Sequence, residues 1–419
     1  MILRMGAGII VARQLGPEKR GYYGLVILAV TMLFSFGHLG LGSAIAYYTG
    51  ENKSNRKKIF SFTLVSALIL GTVLPLVFYF IYPNIKGIWD EIPKSILIIG
   101  LPSVPFFLLN MFLMRYLLAE LKVLQSNMIK VFESLFFLTG VIILVWIFQG
   151  GIRDAVISYT ASVALAGLIS LFLFTRDAWP LERFNLSLTR PMLSYGIKSY
   201  AILIFSVLNV KLDIFLVKHF LSASDVSFYQ IAAGIGARLW YLPNALGAML
   251  FPTLMAMDKG SSEFSAKVCR NNLLIMVVIS TLLIFIARPM VIFLYGKEYE
   301  AVTYALYSII WGVIIFPIYK FLAVDFAAKK NLGIGIFASF VGVVVNVLFN
   351  LYLIPRHGIV GAGIATSISY SVISGILLVY FRVHTGIKLS TILIPQREDF
   401  LSYQRGIKKV LRRARIIRD

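Results

Sequence analysis

The chain has 419 residues, of which 59% are hydrophobic and 14% are charged, and its mean hydropathy is +0.84. This composition excludes a soluble domain with one membrane anchor and indicates a protein that crosses the membrane many times. The net charge of +21 does not favour nucleic acid binding, because that function needs a basic face on a soluble domain. The one cysteine, Cys269, excludes an intrachain disulfide and a cluster of cysteines that binds a metal, and we expect no cofactor.

Apolar segments follow one another along the whole chain. The first, residues 1–12, contains Arg4 and is shorter than the roughly 20 residues that a spanning helix needs, so we expect the second half of a truncated first helix. The remaining predicted spans cover residues 21–49, 58–82, 95–119, 127–148, 154–174, 192–220, 226–256, 271–295, 303–328, 332–354 and 359–381. The sequence therefore predicts an all-α membrane protein with about 12 transmembrane helices.

The lysine and arginine residues are divided unevenly between the two sides of these spans. With the N-terminus inside, most of the 40 fall on the inner side, which predicts cytoplasmic termini in the plasma (inner) membrane. Residues 384–419 are basic and carry an apolar stripe at helical spacing that begins at Phe400. They are predicted to lie on the anionic inner leaflet, with a solvated tail as the alternative.

Two short motifs recur at nearly the same offset. LGPEKRGYY at Leu15 aligns with LSASDVSFY at Leu221, and GGIRDA at Gly150 aligns with HGIVGA at His357. A duplication of six helices gives two bundles of the same topology around a central cleft. The predicted domains are an N-terminal bundle (1–174), a cytoplasmic linker (175–190), a C-terminal bundle (191–383) and the basic tail (384–419).

Charged side chains interrupt the two apolar runs between residues 194 and 252. They are Lys198, Lys211, Asp213 and Arg238. At about 1.5 Å per residue from the polar turn at 222–225, Lys211 lies about 16 Å deep, Asp213 about 13 Å and Arg238 about 20 Å. Charges at such depth are costly and mark functional sites. Because Lys211 and Asp213 are two residues apart, they cannot share one helix face.

Several longer motifs point to one family. ARQLGPEKRGYYG begins at Ala12, LFPTL at Leu250, LYGKEYE at Leu294, and VNVLFNLYLIPRHGIVGAGIATSISY at Val345. In these motifs the chain resembles, over essentially its whole length, the polysaccharide-biosynthesis flippases of the O-antigen type. These proteins form part of the multidrug/oligosaccharidyl-lipid/polysaccharide exporter superfamily.

The resemblance implies a carrier and not an enzyme. Its cargo would be an oligosaccharide on a polyprenyl diphosphate, moved from the inner to the outer leaflet by alternating access. The glycan would serve cell-surface polysaccharide such as lipopolysaccharide, and other glycan-assembly membrane proteins would be partners.

This cargo brings phosphates and sugar hydroxyls into the membrane, where cations suit the phosphates and amides or aromatic rings suit the sugars. The candidate substrate-binding residues are Lys211, Arg238, Asn346, Asn350, Tyr195 and Lys198. The candidates for ion coupling or a charge pair are Asp213, Glu133 and Asp325. Alternatively, Asp213 and Arg238 form a structural pair and the asparagines hold helices together. Lys320 and Asp325 approach the inner end of the predicted span 303–328, and snorkelling of their side chains to the headgroups explains both equally well.

Two other functions stay open at this point. A multidrug or organic-cation antiporter of the same superfamily is disfavoured because the intramembrane charges lean basic, whereas organic cations favour an acidic cleft. A membrane glycan polymerase, from a different class, is disfavoured because the interhelical loops are short. The sequence contains neither a P-loop nor an HExxH motif.

Overall fold

A computed structural model describes residues 2–51, 55–84, 92–182, 186–257, 259–329, 331–396 and 398–399. Within these ranges the chain is built from helices and contains no strand. The helices are α1 (Ile2–Gly37), α2 (Leu41–Glu51), α3 (Arg56–Ile81), α4 (Lys94–Gly100), α5 (Ser103–Ala119), α6 (Val123–Gly140), α7 (Ile152–Phe174), α8 (Leu186–Phe220), α9 (Ala223–Leu239), α10 (Tyr241–Met255), α11 (Ser261–Tyr295), α12 (Ala301–Ala328), α13 (Gly333–Thr385) and α14 (Leu389–Leu393).

Eight helical stretches in the described ranges, some of which join two neighbouring helices, are long and apolar enough to cross a membrane. They cover Ile2–Gly37, Arg56–Ile81, Lys94–Ala119, Val123–Ile147, Ile152–Phe174, Ser261–Tyr295, Lys297–Ala328 and Gly333–Thr385. The prediction of an all-α protein with many membrane spans is therefore confirmed. The count of about 12 helices in two matching bundles stays a prediction.

Glycines with positive φ interrupt two of the long helices. Gly16 (φ 70°) breaks α1 immediately before Pro17, which has no N–H to offer the helix. Gly358 (φ 58°) breaks α13, and beyond it Ser369 donates a hydrogen bond of 2.8 Å to the carbonyl oxygen of Gly342. The two arms of α13 thus pack on each other as a hairpin, in agreement with the separate spans predicted at 332–354 and 359–381.

Three predicted spans contain breaks that hydropathy did not indicate. The span 21–49 is divided at 38–40, where Gly40 has φ 68°. The span 95–119 is divided between α4 and α5 at Pro102, and the span 226–256 between α9 and α10 at Trp240. A proline follows or occupies each of the last two breaks, which leaves backbone groups for other partners.

The helices form two compact units. The first comprises Met1–Ile231 and Val291–Val302, and buried apolar residues of α1 to α3 and α5 to α8 supply its core. The second comprises Ala232–Met290 and Thr303–Asp419, with a core from α10 to α14. The predicted bundle boundary at 175–190 stays a prediction, and residues 400–419 of the basic tail, with its apolar stripe, lie outside the described residues.

Candidate functional site

Lys211 and Asp213 of α8 extend towards different helices of the first unit. The buried Asp213 carboxylate accepts a hydrogen bond of 2.9 Å from the Tyr229 hydroxyl on α9. The half-buried Lys211 ammonium lies 3.5 Å from the Thr31 hydroxyl on α1. This divergence agrees with their spacing of two residues. No carboxylate among the described residues forms an ion pair with Lys211.

The other two basic candidates for substrate binding are Arg238 and Lys198. Arg238 is half-buried in the last turn of α9, two residues before the break at Trp240. It belongs to the second unit and Asp213 to the first, so the predicted pair between them stays a prediction. The side chain of Lys198 lies outside the described part of the structure.

Tyr195 sits in an aromatic cluster at the start of α8. Its ring stacks on Tyr47 with 4.9 Å between centroids, and it meets Tyr48 edge-on at 6.2 Å. With 37% of its surface exposed, Tyr195 keeps an open face. Such a face suits stacking on a sugar, and that role stays a prediction.

Two acidic candidates form ion pairs. Glu133 of α6 lies 2.9 Å from Arg4 of α1. The fully buried Asp325 of α12 lies 2.6 Å from Lys329 and accepts a hydrogen bond of 2.8 Å from Ser265 of α11. Both carboxylates therefore have the partners expected of charge pairs, and neither arrangement tests a coupling role.

Asn346 and Asn350 are fully buried on one face of α13. The Asn350 amide donates to the side-chain oxygen of Asn346 at 3.0 Å and to its backbone carbonyl at 2.9 Å. These two bonds lie within α13, so hydrogen bonding between helices and contact with sugar both stay predictions.

The sequence did not indicate the surroundings of Lys320. Its ammonium donates a hydrogen bond of 2.9 Å to the Asn244 side chain and lies 4.4 Å from the centre of the Trp240 ring. Asn244 lies on α10 and Trp240 immediately before it, 76 and 80 positions away from Lys320 in the chain, so no local pattern joins them. The available signal was that Lys320 and Asn244 each follow a proline closely within an apolar run.

Comparison with known proteins places the chain in a family. Residues 1–258 match the family described as polysaccharide biosynthesis protein, which is more than half of the chain. The chain belongs to the polysaccharide biosynthesis protein family. The family resemblance read from the motifs is thereby confirmed.

Two relatives of this polysaccharide biosynthesis protein carry names of transporters and not of enzymes. A protein assigned as the low-salt glycan biosynthesis flippase Agl15 of Haloferax volcanii is 23% identical over 266 residues, or 60% of this chain. The match spans 54% of that relative, about half of its length. A protein assigned as an O-antigen transporter in Shigella flexneri is 24% identical over 85% of this chain and 88% of its own.

Solved structures share the fold. The lipid II flippase MurJ in an inward closed conformation superposes with a TM-score of 0.76 over 92% of this chain and 85% of its own, at 18% identity. An inward-facing MATE family transporter of the MOP superfamily gives 0.74 over 91% of this chain and 94% of its own, at 15% identity. The polysaccharide biosynthesis protein thus has the fold of a membrane flippase or exporter.

Proposed function

We propose that this protein moves an oligosaccharide linked to a polyprenyl diphosphate from the inner to the outer leaflet of the plasma membrane by alternating access. Family membership and the names of the relatives support a role in cell-surface glycan assembly. The observation that carries the choice of cargo is Lys211, a cation within a predicted span that has no carboxylate partner in the described ranges. Such a charge attracts a phosphate into the membrane.

The proposal is tested by removing that charge. Lys211→Met should lower flipping at least about tenfold, because a charge-assisted hydrogen bond contributes about 1.5–3 kcal/mol. Lys211→Arg should keep most of the activity, and Lys388→Met, at an exposed site beyond the spans, should leave it unchanged. Flipping is read in proteoliposomes with a fluorescent polyprenyl-diphosphate-linked sugar and a membrane-impermeant quencher.

Arg238→Ala should likewise abolish glycan export in a complementation assay while the protein stays inserted and stable. Normal export by this variant would remove Arg238 from the site. Wild-type activity of Lys211→Met would remove the observation on which the choice of cargo rests.

Export of organic cations is the second candidate function, and the fold of the MATE transporters favours it. The cation at Lys211, which pairs with no carboxylate in the described ranges, opposes it, because like charges repel. Lys211-independent efflux of ethidium, with no movement of the lipid-linked sugar, would establish the second function in place of the first.

A further inference from the structure

In the second unit, a break between two helices and a helix that contains a proline meet at one cation. The break between α9 and α10 falls at Trp240, and Pro317 lies inside α12. Lys320 follows on α12, about 12 Å before its end at the 1.5 Å rise of a helix. In membrane carriers, binding sites near the midplane are commonly built where spanning helices are discontinuous.

Pro317 determines how the aromatic ring of Trp240 is held at this site. Because Pro317 has no N–H, the carbonyl of Val313 four residues earlier loses its partner in the helix. The Trp240 indole N–H donates to that carbonyl at 3.0 Å. Phe316 packs beside the indole, with 5.0 Å between the ring centres. The Trp240 ring is thus held in one orientation by a hydrogen bond to the carbonyl that the proline leaves without a helical partner.

The ammonium of Lys320 lies against both rings. Its nitrogen is 4.4 Å from the centre of the Trp240 ring and 5.3 Å from that of Phe316, within the range of cation–π attraction. Its hydrogen bond to the Asn244 side-chain oxygen measures 2.9 Å. Three side chains of the protein therefore hold Lys320, and its ammonium group does not depend on the lipid headgroups for contacts.

The charge nevertheless remains available. An ammonium has three N–H donors, and the contact with Asn244 uses one of them. Within the described ranges no carboxylate pairs with Lys320. Lys320 is half-buried and Asn244 is exposed, so the pair borders open space. A cation at this depth that is neither paired nor enclosed is expected to face a polar pathway and not lipid.

We propose that Lys320, held by Trp240, Phe316 and Asn244, binds the diphosphate of the lipid-linked cargo. This inference rests on the proposed function and adds a residue to it. The ammonium is a compact point charge that donates to phosphate oxygens, and the Asn244 amide N–H groups, directed away from their own oxygen, donate to a second phosphate or a sugar hydroxyl. The same geometry disfavours organic cations, because the protein's own ammonium already covers the aromatic faces.

Binding is measured through the fluorescence of Trp240 in the full-length protein, reconstituted in nanodiscs of neutral phosphatidylcholine. The probe is farnesyl diphosphate, with farnesol as the uncharged control. The wild type should give a saturable change in emission with the diphosphate and none with farnesol. Because the chain has five tryptophans, Trp240→Phe identifies the signal by abolishing it.

Substitutions at Lys320 and Asn244 distinguish loss of the binding contact from loss of folding. Lys320→Met should weaken binding at least about tenfold, the factor expected for losing a charge-assisted contact. Lys320→Arg should retain binding within a few-fold, and the exposed Lys388→Met should match the wild type. If Lys320→Met does not elute as a folded protein, Asn244→Ala replaces it, because Asn244 is exposed and its loss should still weaken binding severalfold.

Undiminished binding by a folded Lys320→Met or Asn244→Ala variant would overturn the assignment. A Lys320-dependent signal from phosphatidylglycerol nanodiscs, with none from farnesyl diphosphate, would also overturn it, since the site would then hold a phospholipid headgroup. Failure of the proposed function looks different: the wild type would bind farnesyl diphosphate through Lys320 and yet move no lipid-linked sugar.

Discussion

The Asp399 carboxylate anchors the end of the described chain onto α11. Arg270 meets it through two bonds, Nε to Oδ2 at 2.6 Å and Nη2 to Oδ1 at 2.9 Å, and both side chains are almost fully buried. The backbone N–H of Gln396 donates a third bond of 2.8 Å. The hydrogen bonds from Arg270, and then that from Gln396, lower the pKa of Asp399 below its ordinary value.

Asp399→Asn should destabilise the protein by about 3–5 kcal/mol, because it leaves the Arg270 charge buried without its partner. The neighbouring Glu398→Gln, at an exposed position, should have little effect. Thermal unfolding in detergent measures both. Since the folded pKa is depressed, the stabilisation is complete above the ordinary carboxyl pKa of about 3.9 and is lost as pH falls through the lower folded value. The difference between wild type and Asp399→Asn should therefore shrink below about pH 4, and a constant difference would contradict the account.

At the scale of single residues, the sequence identified charges but not their partners. A charge inside an apolar run is visible because its cost in the membrane does not depend on the fold. Its partner is set by tertiary packing: Glu133 meets Arg4, 129 positions away. For Asn346 and Asn350 the spacing of four residues placed both on one helix face, but the bond between them within α13 was not predicted.

At the scale of helices, hydropathy predicted where the membrane spans run but did not indicate the breaks inside three of them. The boundary between 354 and 359 was found because charged and polar residues surround Gly358. The breaks at Pro102 and Trp240 lie in continuous apolar sequence, so an average over the segment does not register them. The break at Trp240 supports the proposed diphosphate site. Its role is not visible in the sequence, because it depends on the packing of α12 beside the break.

Close contact between α1 and α9 depends on a glycine. A Cβ on Gly21 would lie 1.9 Å from the backbone oxygen of Ala223, which cannot rotate away as a side chain can. Gly21→Ala should therefore destabilise the protein by about 1–3 kcal/mol or more through overpacking. Gly8→Ala, in the same helix with no atom within 4 Å of the new methyl group, should be neutral or stabilising by helix propensity. Thermal unfolding distinguishes the two, and equal melting temperatures would refute the contact.

At the scale of the whole molecule, the two-bundle repeat stays a prediction, and the structure shows only where its two matched segments lie in the first unit. The matched segments 15–23 and 221–229 lie against each other, with Arg20 donating to the Gln230 side chain at 2.8 Å and to the Ser227 carbonyl at 3.3 Å. Such a contact is expected near the axis of a duplicated chain, and it does not by itself test the predicted two-bundle layout. The sequence match did not predict this contact, because similarity between two segments carries no information on the distance between them.

Orientation in the membrane is the last property that the charge distribution predicts. Gly151→Cys, before α7, should face outward, and Lys388→Cys, after α13, should face the cytoplasm. Both positions are exposed, and a Cβ at Gly151 meets no atom within 4 Å. The native Cys269 is buried and should remain unlabelled. A membrane-impermeant maleimide should therefore label only Gly151→Cys in intact cells and both variants after permeabilisation. The reverse pattern in intact cells would mean that lysine and arginine do not set the topology of this chain.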